Sequence, residues 1–266
     1  MGEDVLDRPI GIFDSGIGGL PIAAQVHQLL PKENLLYLAD TAYAPYGERS
    51  EAEILARSIA VVEFLLAQQV KAIVVACNTA TMISIKTLRE RYQLPFIGVE
   101  PGVKPAAIHT KSGVIGVLAT PKTLSSQAFF QLAKRVAGHV QVEMQPCPKL
   151  VRLVESLQLA TPEVFAAVEE YVQPLLEKGA DTLILGCTHF AHLAPVIQQV
   201  AGNQVQVIST ELAVAKEVQR RLQPLETQGK ELGQVHFVSN GDPEQFRAQV
   251  NCLWPELPVR IFSLSF

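Results

Sequence analysis

An α/β protein made of two similar halves, each a largely parallel sheet flanked by helices, is the fold class this sequence predicts. Strand-like apolar runs alternate with helix patterns along the chain, the signature of βαβ units and parallel sheets. Two of those strands end in closely similar segments, Ile73-Val74-Val75-Ala76-Cys77-Asn78-Thr79 and Leu183-Ile184-Leu185-Gly186-Cys187-Thr188-His189. With 48% hydrophobic and 18% charged residues, the 266-residue chain can bury a sizeable core in one large or two medium domains.

Taken in order, Ile10–Phe13 reads as a first strand that ends at Asp14-Ser15-Gly16-Ile17-Gly18-Gly19 and passes into a helix. Leu35–Leu38 is a second strand, followed by a loop rich in Tyr, Pro and Gly from Thr41 to Gly47. Ser50-Glu51-Ala52-Glu53 has capping-box spacing and opens a long helix to about Gln69. Ala72–Ala76 is a buried strand running into Cys77, and a helix follows to about Tyr92. A second series begins with the strand Val114–Ala119, which ends at Thr120, and continues with Val140–Met144. Thr161 and Pro162 supply an N-cap and an N1 proline for a helix that Gly179 ends. Thr182–Leu185 is the strand before Cys187, and the tail adds strands near Val205–Ile208, Val235–Val238 and Val259–Phe262, with Asp242-Pro243 starting a helix before the last.

The first strand of each series precedes its cysteine by a similar interval, 63 residues from Asp14 to Cys77 and 67 from Thr120 to Cys187. Two matching landmarks at matching spacing predict an internal duplication, with the boundary between halves near residues 98–103.

The net charge of −4 gives no electrostatic reason to expect a nucleic-acid backbone as the main partner. No apolar run approaches the roughly 18 residues that span a bilayer. The acidic start, Met1 to Asp7, lacks the apolar core of a signal peptide, and Leu6 stands where a myristoylation signal needs Ser or Thr. The expected location is cytoplasmic. The four cysteines, Cys77, Cys147, Cys187 and Cys252, form no CxxC pair and are expected as reduced thiols.

Ligands of open α/β sheets bind beyond the carboxyl ends of the strands, where Asp14, Cys77, Thr120 and Cys187 all fall. If the halves face each other, the two cysteines meet across one cleft. The polar residue after each would begin a helix, whose free N–H groups hold carboxylates and lower a thiol's pKa. The alternative for either cysteine alone is packing at a strand end. Asp14-Ser15-Gly16-Ile17-Gly18-Gly19 matches neither GxGxxG nor a Walker motif. Its carboxylate would repel phosphate and suit an ammonium group, the alternative being an N-cap for the next helix. His189 and His192 beside Cys187 raise a zinc site, but no fourth ligand stands at characteristic spacing unless Cys77 completes it. His189 reads better as a proton-handling partner of Cys187, and His192 as a histidine on a helix surface.

Four segments, Phe13-Asp14-Ser15-Gly16-Ile17-Gly18-Gly19-Leu20, Ala44-Pro45-Tyr46-Gly47, Ala76-Cys77-Asn78-Thr79-Ala80 and Gly186-Cys187-Thr188-His189, occur in an order that resembles the glutamate racemase family over essentially the whole chain. The resemblance implies two α/β domains, residues 1–98 plus 211–266 carrying Cys77 and residues 99–210 carrying Cys187, with the active site between them. It implies that Cys77 and Cys187 are the acid/base pair, assisted by Asp14 and His189. Cys77 would face the D enantiomer and Cys187 the L enantiomer. Asp14, Ser15, Tyr46, Gly47, Asn78, Thr79, Thr188 and His189 would hold the substrate. Glu155 corresponds either to a further assisting carboxylate or to an exposed helical glutamate. The product, D-glutamate, would supply peptidoglycan. No metal and no cofactor are expected, since no pyridoxal phosphate lysine motif is evident. The expected partner is the small-molecule substrate glutamate; a homodimer is compatible with the sequence, which does not specify an assembly.

Two segments depart from the family pattern: Phe190-Ala191 replaces Tyr-Pro after His189, and Ile208 stands where an Asp commonly precedes Ser209. The rival readings are a racemase of another amino acid such as aspartate, a non-catalytic regulatory protein on the same scaffold, and a cysteine hydrolase, which would leave the second cysteine unexplained.

Overall fold

The computed structural model describes residues 6–136, 138–225, 227, 231–257 and 261–263. The chain divides into two compact units, one formed by Met1–Val99 with Glu211–Phe266 and the other by Glu100–Thr210.

The first unit is a six-stranded parallel sheet in the order β10-β9-β2-β1-β3-β4. Its strands are β1 (Ile10–Asp14), β2 (Leu35–Ala39), β3 (Ala72–Val75), β4 (Phe96–Gly98), β9 (Val235–Ser239) and β10 (Ile261–Ser263). Every residue of β1, β2 and β3 is buried, as continuous apolar runs in a sheet covered on both faces require. The helices are α1 (Leu20–Leu29), α2 (Glu51–Ala67), α3 (Asn78–Arg91), α10 (Glu211–Leu222) and α11 (Pro243–Leu253). The capping box at Ser50 is complete, with Glu53 N bonded to Ser50 Oγ and Ser50 N to the Glu53 carboxylate. Lys71, just before β3, pairs with Glu33 at 2.5 Å and donates to Leu225 O at 2.9 Å, which fastens the segment after α10 to this unit.

The second unit is a four-stranded parallel sheet in the order β6-β5-β7-β8, from β5 (Val114–Ala119), β6 (Gln141–Pro146), β7 (Thr182–Leu185) and β8 (Gln206–Ile208). Around it lie α4 (Val103–His109), α5 (Pro121–Ser125), α6 (Gln127–Lys134), α7 (Pro148–Glu155), α8 (Pro162–Glu177) and α9 (Ala194–Ala201). Thr161 Oγ1 caps α8, and Gly179, at φ +87°, supplies the left-handed turn beyond it.

The duplication read from the sequence is visible in topology. Within each unit the strands run second-first-third-fourth (β2-β1-β3-β4 and β6-β5-β7-β8), and each cysteine follows the third strand. Short elements escaped the sequence reading: β4 has three residues, and α4, α5 and α7 at most eight, too few for a periodic pattern. Of the last strand, expected over Val259–Phe262, Ile261–Ser263 is described; Val259, and the acidic start through Val5, lie outside the described residues. Among the described residues no helix is long and apolar enough to cross a membrane.

Candidate active site

In the first unit the carboxyl ends of β1, β2 and β3 bring Asp14, Asp40 and Cys77 to one rim of the sheet. Backbone bonds extend the pairing past the strands, from Asp40 N to Asp14 O at 3.0 Å and from Ala76 N to Phe13 O at 2.8 Å. Asp14 is fully buried, and its Oδ2 accepts from Gly16 N at 3.0 Å, closing an Asx turn. The helix cap considered for it is absent: the N-cap of α1 is Gly19. A Cβ at Gly19 would come within 3.0 Å of Asp14 Cβ and the Tyr37 hydroxyl and 2.9 Å of Ala76 Cβ, so only glycine lets the turn pack this closely. Tyr37 Oη in turn donates to Gly16 O at 2.8 Å.

Cys77 is 5% exposed and occupies the N-cap of α3, where its sulfur accepts from Ala80 N at 3.5 Å. An N-cap position with a donor aimed at sulfur favours the thiolate. Ser15 Oγ stands 3.9 Å from the same sulfur. Asn78 donates through Nδ2 to Val99 O at 3.2 Å, whereas its Oδ1 is buried with no hydrogen-bond partner among the described residues. A buried acceptor in that state costs free energy until a donor arrives. Thr79, beside it, is buried.

Tyr46 lies in a 3₁₀ turn, Tyr46–Glu48, is 1% exposed, and donates its phenol proton to Asp40 Oδ2 at 2.5 Å. Burial, followed by the Asp40 charge, holds this phenol well above its usual pKa, so it stays neutral and a donor. Gly47, next in the turn, is half-buried.

In the second unit Thr120 follows β5 and caps α5, its Oγ1 accepting from Thr123 N. Cys187, 6% exposed, follows β7. Gly186 permits the approach, since a Cβ there would meet Ala119 Cβ and Leu118 O at 3.0 Å. The expected helix start after the cysteine is here a 3₁₀ turn, Thr188–Leu193, and Cys187 makes no side-chain cap bond. A histidine takes the place of the cap: His189 Nδ1 is 3.8 Å from Cys187 Sγ. His189 Nε2 is 2.6 Å from Glu155 Oε1. Thr188 and His189 are buried, and His192 is half-buried in the same turn rather than on a helix surface. Among the described residues no group of three or more His, Cys, Asp or Glu is arranged to hold a metal ion.

The structure therefore gathers Asp14, Ser15, Tyr46, Asn78 and Thr79 with Cys77 at one sheet end, and Glu155, Thr188 and His189 with Cys187 at the other unit's sheet end. Sequence reading missed Asp40 and Arg57, and it placed Cys147 only among the reduced thiols. Asp40 carried the same signal as Asp14, a carboxylate directly after an apolar strand. Cys147, wholly buried at the end of β6, donates to Gln145 O at 3.2 Å, and burial, then the neighbouring Cys187, raise its thiol pKa well above the usual value. It is thereby kept protonated and inert.

The Asp/Glu/hydantoin racemase family model matches residues 21–218. The glutamate racemase of Ectopseudomonas mendocina is 47% identical over 250 residues, covering 93% of this chain and 95% of its own length. Among solved structures, a glutamate racemase isoform from Bacillus anthracis superposes with a TM-score of 0.88 at 33% identity, covering 97% of this chain and 98% of the other. The glutamate racemase of Francisella tularensis in complex with D-glutamate gives 0.86 at 30% identity, covering 98% of each chain.

Proposed function

The chain belongs to the glutamate racemases of the Asp/Glu/hydantoin racemase family, and on that premise we propose that Cys77 and Cys187 interconvert L- and D-glutamate as a two-thiol acid/base pair. The observation that carries the proposal is the matched placement of the two cysteines after the third strand of equivalent sheets, each with its own proton-handling surroundings.

Inversion at a carbon acid requires a base on one face of the α-carbon and an acid on the other. One thiolate removes the α-proton, and the opposite thiol delivers its own proton to the other face of the carbanion. The pair ends with its protonation exchanged, ready for the reverse direction. The N-terminus of α3, with Ala80 N directed at the sulfur, stabilises the Cys77 thiolate in the direction in which Cys77 is the base. Cys187 is served by His189: with Nε2–H directed at Glu155, Nδ1 is left as the acceptor that faces the sulfur, the logic by which a carboxylate fixes a histidine tautomer in catalytic triads. Asp14 suits the substrate ammonium, which must stay protonated to stabilise the carbanion. The unsatisfied Asn78 Oδ1 suits an N–H donor of the ligand. Ser15, Tyr46, Gly47, Thr79 and Thr188 complete the contacts. The chemistry of two thiols suffices, and the proposed route uses no cofactor. We assign Cys77 to the D enantiomer and Cys187 to the L enantiomer, a cytoplasmic location, and a role supplying D-glutamate for peptidoglycan.

Circular dichroism of purified protein incubated separately with L-glutamate and L-aspartate tests the proposal. Decay of the glutamate signal to zero with the aspartate signal unchanged is the expected result. A stable glutamate signal would refute it.

A further inference from the structure

Asp40 is fully buried at the carboxyl end of β2 and belongs to none of the groups given a role above. Its carboxylate receives four donors from three segments of chain. Arg57, on α2, grips it with both arms, Nε to Oδ2 at 3.0 Å and Nη2 to Oδ1 at 2.8 Å. Tyr46 donates to Oδ2, and Asn240, after β9, donates to Oδ1 at 2.5 Å. The Tyr43 ring lies against the Arg57 guanidinium, 3.7 Å from ring centroid to Cζ. Nearby, Ala42 N donates to Asn240 Oδ1 at 3.1 Å and Thr41 Oγ1 is 2.7 Å from Ser239 Oγ. Asp40 thus ties the loop at Tyr46 directly and at Tyr43 by way of Arg57, while Thr41 and Ala42 are held separately by Ser239 and Asn240. A buried carboxylate is stable only with its charge paired and its lone pairs filled, and a bidentate arginine does both.

Tyr46 and Cys77 are members of one buried cluster. Tyr46 has given its only donor proton to Asp40, so its position depends on that carboxylate. We propose that Asp40 is a positioning residue for the reaction, holding the Tyr46 ring as a wall over the Cys77 thiol and leaving the Cys187 side untouched. The inference rests on Cys77 being a proton carrier, but its first readout needs no turnover.

That readout is peptide-resolved alkylation by iodoacetamide, followed by mass spectrometry, in the wild type, Asp40→Asn, Tyr46→Phe and the double variant. Asp40→Asn keeps the shape but removes the charge that holds Arg57 and Tyr46. Local opening should speed alkylation of Cys77 by about tenfold. Cys147 and Cys187 should keep their wild-type rates, Cys147 serving as the control for general unfolding. KM for glutamate should rise about tenfold with kcat changed much less. In a Tyr46→Phe background, Asp40→Asn should add little further to KM, because the two act as one unit. If Asp40→Asn is not recovered folded, Arg57→Lys, which keeps the charge and loses the fork, replaces it with the same pattern expected. An unchanged Cys77 rate, all three cysteines accelerating together, or fully additive effects on KM would overturn the proposal. Wild-type protein that racemises no glutamate would instead remove the underlying functional reading, while the alkylation pattern would still decide the anchor.

Discussion

Glu155 Oε1 and His189 Nε2 are 2.6 Å apart, with His189 3% exposed and Glu155 19% exposed at the end of α7. The contact sets this carboxylate against the ring that faces Cys187, and under the proposed mechanism it fixes which ring nitrogen carries the proton. Glu155→Gln keeps the length and removes the charge, and its amide can present a donor to Nε2. Turnover should then fall about a hundredfold, within the range a positioned proton carrier contributes. The fall should be accompanied by a changed pH–rate profile and a nearly unchanged melting temperature. Stopped circular dichroism assays across pH, alongside thermal melts, check this. A normal profile would return Glu155 to a structural role.

Asp14→Asn separates substrate handling from folding. The turn bond to Gly16 N needs only an oxygen acceptor, which asparagine retains. The lost charge is the one proposed to face the ammonium. We expect kcat/KM to fall about a hundredfold with a melting temperature close to wild type. A clear loss of stability with near-normal kinetics would assign Asp14 to the turn alone.

Acid sensitivity should have a traceable source in the second unit. Burial alone would raise the Asp181 pKa, but hydrogen bonds from Thr110 Oγ1, Ser112 N, Lys111 N and Thr182 Oγ1 outweigh it and lower the value to about 2. A carboxylate depressed in the folded state contributes stability above its unfolded pKa, near 4. That stability is lost as pH falls through the folded value. Denaturant melts of wild type and Asp181→Asn should therefore differ at pH 6 and converge between about pH 4 and pH 2. A constant difference across that window would contradict the assignment.

Much of this architecture was legible in the sequence, for identifiable reasons. Val114–Ala119 and Thr182–Leu185 are continuous apolar runs between clear breakers, and they coincide with β5 and β7. Ser50 and Glu53 carried their capping box openly. Asp14 and the two cysteines stood out because a reactive side chain at the end of a buried strand seldom serves packing alone. Arg57 did not stand out, because on α2 it is one charged residue among several, and only the fold brings it to Asp40. The turn after Cys187 differs from the helix start its residues suggest, since a 3₁₀ segment and a first α-turn share the same residue preferences. Glu155 lies 34 residues from His189, and nothing local could choose between its two readings.

Proton transfer from solvent on the face opposite to abstraction is the central claim, and early deuterium incorporation tests it most directly. L-glutamate racemised in deuterated water, sampled before about a tenth has converted, would be separated by enantiomer and weighed by mass spectrometry. With Cys187 removing the α-proton and Cys77 carrying solvent deuterium, newly formed D-glutamate should be almost wholly deuterated at the α-carbon while the remaining L-glutamate stays protiated. The same experiment begun from D-glutamate should give the mirror result. D-glutamate that keeps the original proton, or L-glutamate that takes up deuterium as fast as product forms, would show that one group serves both faces and would contradict the two-thiol account.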